Sequence, residues 1–141
     1  MIVFDIEADG LLEDATKIHC LSCRNPNGGS LISTSDYNAM RNILLNAKGL
    51  IGHNIIRYDI PLLEKILDIK IKAQLFDTLP MSWVINYNRS RHGLDTFGED
   101  FGIPKPVITD WHNLTTEEYI HRCQEDVKIN CKLWQDLIKR F

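Results

Sequence analysis

Apolar and polar positions follow two periods along this chain. Met1 to Ile6 is an almost unbroken apolar run, read as a strand. Alternation puts Val3, Asp5 and Glu7 on one face and Ile2, Phe4, Ile6 and Ala8 on the other. Both faces begin apolar, which suits a central strand covered on both sides. Lys17 to Arg24 predicts a second strand, and Asn25-Pro26-Asn27-Gly28-Gly29 a turn. Ser30 to Thr34 completes an antiparallel hairpin. Met40, Ile43, Leu44 and Ala47 then carry helical spacing, with N-cap candidates at Ser33 to Asp36. Gly49 to Gly52 reads as a short buried strand, and Asp59 to Ile69 as a helix with Pro61 in its first turn. Ala73 to Phe76 predicts a further strand, Leu79 to Ile85 a helix, Asn86 to His92 an exposed loop and Gly93 to Phe101 a short helix. The last helix starts at a capping box, Thr115 with Glu118, and runs toward Phe141. Its stripe is Ile120, Cys123, Val127, Cys131, Trp134 and Ile138. The order predicts an α/β fold, a mixed sheet flanked by helices.

Composition narrows the classes. The 141 residues, 44% hydrophobic and 25% charged, fit one domain over 1–141 with a full core. No apolar run reaches the length of a membrane span, and no secretory leader is visible. A formal charge of −3 argues against coating nucleic acid by bulk charge, but not against an acidic centre neutralised by cations. Cys20 and Cys23 have zinc-knuckle spacing, yet residues three apart on a strand face opposite ways. Buried, reduced thiols are the expectation for these and for Cys123 and Cys131. Trp83, Trp111 and Trp134 are read as core or interface.

Asp5 and Glu7 carry the chemistry. Two carboxylates on one strand face need a bound cation, a hydrogen-bond network or an exit into solvent. Asp5-x-Glu7, then His53-Asn54-x-x-x-Tyr58-Asp59, then Asp126 resemble the three motifs of the DnaQ-like, or DEDD, 3′–5′ exonucleases. The stretch Asp5 to Leu12 with Thr16-Lys17-x-His19-Cys20 is similar to the proofreading domain of phage family A DNA polymerases.

The resemblance implies a ribonuclease-H-like fold: a mixed five-stranded sheet, three antiparallel strands then two parallel. It implies hydrolysis of single-stranded DNA from the 3′ end to nucleoside 5′-monophosphates. Two divalent cations, Mg2+ or Mn2+, would be held by Asp5, Glu7, Asp59 and Asp126, since both prefer oxygen ligands. Leu11, Asn54 and Tyr58 would contact the terminal nucleotide, Tyr58 as a stacking surface. A DNA polymerase is the implied partner, and a phage or bacterial cytoplasm the implied setting. An RNA substrate, or an inactive nucleic-acid-binding or polymerase-docking module, are the alternatives.

The family divides by its general base, a Tyr four residues before the last Asp or a His five before it. This chain has Arg122 and His121 there. Arginine cannot accept a proton, so the expectation is the His branch, DEDDh, with His121 as base. On an unbroken helix His121 would lie about 140° from Asp126 and Arg122 only about 40°. The helix must then break, or His121 must ride on a mobile segment, or Arg122 faces the site and binds phosphate.

Overall fold

A computed structural model describes residues 1–110 and 113–141, so Trp111 lies outside the described residues. Five strands form one sheet: β1 (Ile2–Ala8), β2 (Ile18–Arg24), β3 (Ile32–Thr34), β4 (Gly49–Gly52) and β5 (Gln74–Asp77). Their order is β3-β2-β1-β4-β5. β1 pairs antiparallel with β2 and parallel with β4, and β4 pairs parallel with β5. The expected mixed sheet of three antiparallel strands followed by two parallel ones is therefore the observed one. The carboxyl ends of β1, β4 and β5 all leave the sheet at the same edge. Ligands gather at such an edge because loops there are free to carry polar groups.

Among the described residues, five α-helices complete the fold: α1 (Tyr37–Asn46), α2 (Ile60–Leu67), α3 (Thr78–Ile85), α4 (Leu94–Phe101) and α5 (Thr116–Lys139). Phe4, Ile6, Leu21 and Leu50 on one sheet face pack against Met40 and Leu44 of α1 and Leu62 and Leu63 of α2. Val3 and Ile51 on the other face pack against Val127, Cys131 and Trp134 of α5. Leu94 and Phe97 of α4 then cover the outer side of α5 at Ile129 and Leu133. The alternation along β1 thus becomes a division between two cores, and Asp5 and Glu7 fall on the α5 face.

Local chemistry sets the ends. Asp36 caps α1 by accepting from Ala39 N at 2.8 Å, and Thr115 caps α5 by accepting from Glu118 N at 3.2 Å. Two of the boundaries that differ from expectation bear on the site. β5 extends to Asp77, whose backbone pairs in register with Gly52. The helix expected from Asp59 begins earlier, as a π-helical turn over Ile55–Asp59 that passes into α2. Pro61 has no N–H to donate, so the change of helix type falls where no regular bond could form.

All four cysteines are buried free thiols. Cys20 pairs across from Glu7 and Cys23 from Phe4, so they face opposite sides of the sheet. Trp134 packs in the core edge-on to Phe76, ring centroids 5.5 Å apart, whereas Trp83 is half-exposed. No helix among the described residues is long and apolar enough to cross a membrane.

Candidate active site

Two elements bring the acids together. α5 lies flat on β1 because Val127 meets Val3, and because the Cys123 thiol donates to the Asp5 carbonyl at 3.0 Å. Asp126, on the same side of α5, is thereby set over Asp5 and Glu7. One carboxylate oxygen from each of the three lies within 4.8 Å of the others. Asp59 ends the π-helical turn at the neighbouring strand end and is 5% exposed. It stands outside that trio, yet close enough for its charge to act on Asp5.

The electrostatics are those of crowded acids. Burial, then the charges of Asp126, Asp59 and Glu7, push the Asp5 carboxyl up, against a smaller pull from Lys105. Burial and Asp126 push Glu7 up to about 7 even though Arg122 pulls it down. Asp59 is raised by burial first and by Asp77 next. Asp5 Oδ2 and Asp126 Oδ1 are buried without a hydrogen bond. A cluster of carboxylate oxygens, with Asp5 Oδ2 left without a hydrogen bond, fits hard divalent cations such as Mg2+ and Mn2+.

Two cationic side chains reach the cluster. Lys105 Nζ stands 3.1 Å from Asp126 Oδ1, and Arg122 Nε 3.4 Å from Glu7 Oε1. Arg122 reaches it because α5 runs unbroken through both motif positions. The same continuity leaves His121 exposed on α5, and the structure does not bring it to the acids. The reason is angular: five residues along a helix leave a side chain about 140° round from the starting one, and four only about 40°.

The loop and the turn that carry Leu11, Tyr58 and Asn54 are ordered by short bonds. Asp9 accepts from Thr16 N, Thr16 Oγ1 and Lys17 N at 2.9, 2.6 and 3.0 Å, closing the loop that presents Leu11. These bonds hold the Asp9 carboxyl down at about 2. Leu11 is 74% exposed beside the acids' edge of the sheet. Tyr58 donates its hydroxyl to the Gly10 carbonyl at 2.6 Å, joining this loop to the π-helical turn. Asn54 opens that turn in a left-handed conformation, φ 64°. Beneath it, Thr78 Oγ1 lies 2.8 Å from both His53 Nδ1 and Asn130 Oδ1, a buried network that ties β4 to α3 and α5. His53 is therefore structural, its imidazole pushed by burial toward the neutral form.

Lys105 and Asp77 are the site-side residues that sequence reasoning missed. Lys105 sits in irregular chain between two prolines, where no period points anywhere. Asp77 had one signal, its place at the end of a predicted strand.

The five-stranded mixed sheet flanked by helices has the ribonuclease-H-like arrangement, and its acids gather at the end of β1 and on α5. Comparison with known proteins agrees. The chain is 34% identical over 101 residues to the DNA-directed DNA polymerase of Escherichia phage T7, a match spanning 62% of this chain and 14% of that protein. Among solved structures it resembles Brucella melitensis NrnC bound to pGG, with a TM-score of 0.76 and 19% identity over 99% of this chain and 72% of that one. NrnC with bound Mg2+ superposes with a TM-score of 0.70 at 20% identity, again over 99% of this chain and 72% of that one. Phi29 DNA polymerase complexed with single-stranded DNA gives a TM-score of 0.62 at 15% identity, over 99% of this chain and 31% of that one. No family model matches the chain.

Proposed function

We propose that this chain is a divalent-cation-dependent 3′–5′ exonuclease that shortens single-stranded DNA to nucleoside 5′-monophosphates. The observation that carries this reading is the meeting of Asp5, Glu7 and Asp126 within 4.8 Å, flanked by buried Asp59. The likeness to a phage polymerase and to a Mg2+-bound nuclease supports it.

In this reading Asp5, Glu7, Asp59 and Asp126 would hold two cations. Bound there, the cations would polarise the phosphate and make water more acidic. The chain's own residues do the rest. Leu11 and Tyr58 seat the terminal base, Tyr58 fixed by its bond to Gly10. Glu7 orients the attacking water from its place beside Arg122. Arg122 stays protonated and donates to a phosphate oxygen, so we assign it, rather than His121, to the substrate side of α5. Lys105 offsets the charge on Asp126 when the cations are away.

A DNA polymerase is the proposed partner and a phage-infected cell the proposed setting, both on the T7 relative. A short RNA is the second reading, favoured by the NrnC structure bound to pGG. Both polymers share the phosphate that is attacked, and the 2′-hydroxyl would tell them apart. The test uses 5′-labelled DNA and RNA of one sequence with Mg2+, Mn2+ or chelator, beside Asp5→Ala. A cation-dependent ladder shortening from the 3′ end, absent in Asp5→Ala, is expected. Binding without cleavage by the wild type would leave only a docking module.

A further inference from the structure

A further carboxylate, the buried Asp77, lies outside the four-acid pattern. It closes β5 in register with Gly52, where β4 passes into the π-helical turn. Its Oδ1 accepts from Asn54 N at 2.7 Å and from Leu79 N at 3.0 Å, and its Oδ2 accepts from Ile56 N at 3.1 Å. The Leu79 bond is an ordinary N-cap on α3. The other two bonds serve a different segment. The first N–H groups of any helical turn lack partners within it. Here Asn54, the local cap position, makes no side-chain cap bond, and Asp77 supplies the acceptors from the adjacent strand.

We propose that Asp77 is the positioning residue for Asp59: its carboxylate clamps the first N–H groups of the π-helical turn and so fixes Asp59 against Asp5, Glu7 and Asp126. The inference rests on the reading of these acids as a cation site. A π-helical turn of five residues is a short, uncommon element without strong internal support. Something outside must set its position, and cation ligands tolerate little error in theirs. The turn is held at both ends, by Asp77 at Asn54 and Ile56 and by the Tyr58–Gly10 bond beside Asp59. After burial, the charge of Asp77 is the largest influence raising the Asp59 carboxyl.

The deciding variant is Asp77→Ser. Serine is a good N-cap, so it keeps the Leu79 bond of α3, but it cannot also reach Asn54 and Ile56. Mn2+ binding is measured by titration calorimetry, with kcat and KM on single-stranded DNA. Asp77→Ser is expected to lower Mn2+ affinity by about 10-fold or more. kcat falls similarly, while KM for DNA stays within about twofold. In an Asp59→Asn background the same change adds almost nothing, because its effect passes through Asp59. Should Asp77→Ser fail to fold, Asp77→Asn replaces it: its amide keeps the Oδ1 bonds but turns a donor toward Ile56 N, and a smaller loss of Mn2+ affinity is expected. Mn2+ affinity equal to wild type in the folded variant, or losses that multiply with Asp59→Asn, would overturn the positioning role alone. A wild type that binds no Mn2+ would overturn the cation-site reading and this inference together.

Discussion

Arg122 Nε sits 3.4 Å from Glu7 Oε1, so a permanent cation faces the carboxylate that burial raises to about 7. Their pairing follows from the unbroken helix over Thr116–Lys139. Arg122→Ala should lower kcat on single-stranded DNA by about 100-fold, the scale of losing one donor to developing phosphate charge. His121→Ala should stay within about twofold of wild type. Steady-state kinetics on a labelled oligonucleotide separates the two, and the reverse pattern would return the role to His121.

The Glu7 shift has a sign that thermal melts can read. Its folded value of about 7 exceeds the ordinary 4.5. Between those values the cation-free folded protein holds a proton that the unfolded chain has released. The resulting stabilisation is full below 4.5 and is lost as pH rises through about 7. Its upper bound is roughly 3 kcal/mol. Cation-free protein should therefore melt lower at pH 8 than at pH 5.5, and Glu7→Gln should flatten that slope. Burial moves Asp5 and Asp59 the same way.

Cation binding should show the opposite trend. Protons compete for the same oxygens, so Mn2+ affinity should fall as pH drops below about 7. Titrations at pH 6 and pH 8 check this, and equal affinities would count against Glu7 as a ligand.

Lys105 competes at the other end of the cluster, 3.1 Å from Asp126 Oδ1. Removing this ammonium should favour a divalent ion by about 1 kcal/mol, or roughly fivefold tighter Mn2+ binding in Lys105→Ala. A weaker Mn2+ affinity in that variant would mean that Lys105 supports the site rather than rivals its ions.

Leu11 and Tyr58 should act on substrate binding. Leu11 is 74% exposed, so Leu11→Ala should leave Tm within about 1 °C. Its KM for single-stranded DNA should rise several-fold. Tyr58→Phe loses the bond to the Gly10 carbonyl, at a cost of about 1 kcal/mol, and frees the loop that carries Leu11. Unchanged KM in both variants would remove these side chains from the strand path.

Much of the fold was legible because two elements obey strict periods. Alternation along β1 separated Phe4 and Ile6 from Val3, Asp5 and Glu7, and the stripe from Cys123 to Trp134 defined the face of α5. Meeting of the acids was not legible that way, since period fixes a face and not a partner across the chain. Resemblance supplied Asp59 and Asp126. At Arg122, helix geometry alone pointed toward the site, while motif spacing pointed to His121. The π-helical turn escaped notice because its apolar residues Ile55 and Ile56 carry no helical period of their own. Lys105 escaped because contacts from irregular chain leave no pattern.

β1 is the middle strand of five, gripped by β2 on one edge and β4 on the other. Its acids are therefore indexed to the whole sheet. One residue inserted between Ile2 and Phe4 would rotate both carboxylates into the apolar layer of α1 and α2, and bring Ile6 round to α5. Loops at 9–17, 86–92 and 102–110 can diverge in length without touching that index. The central strand thus acts as a ruler for the carboxylates, while the loops set only what surrounds them.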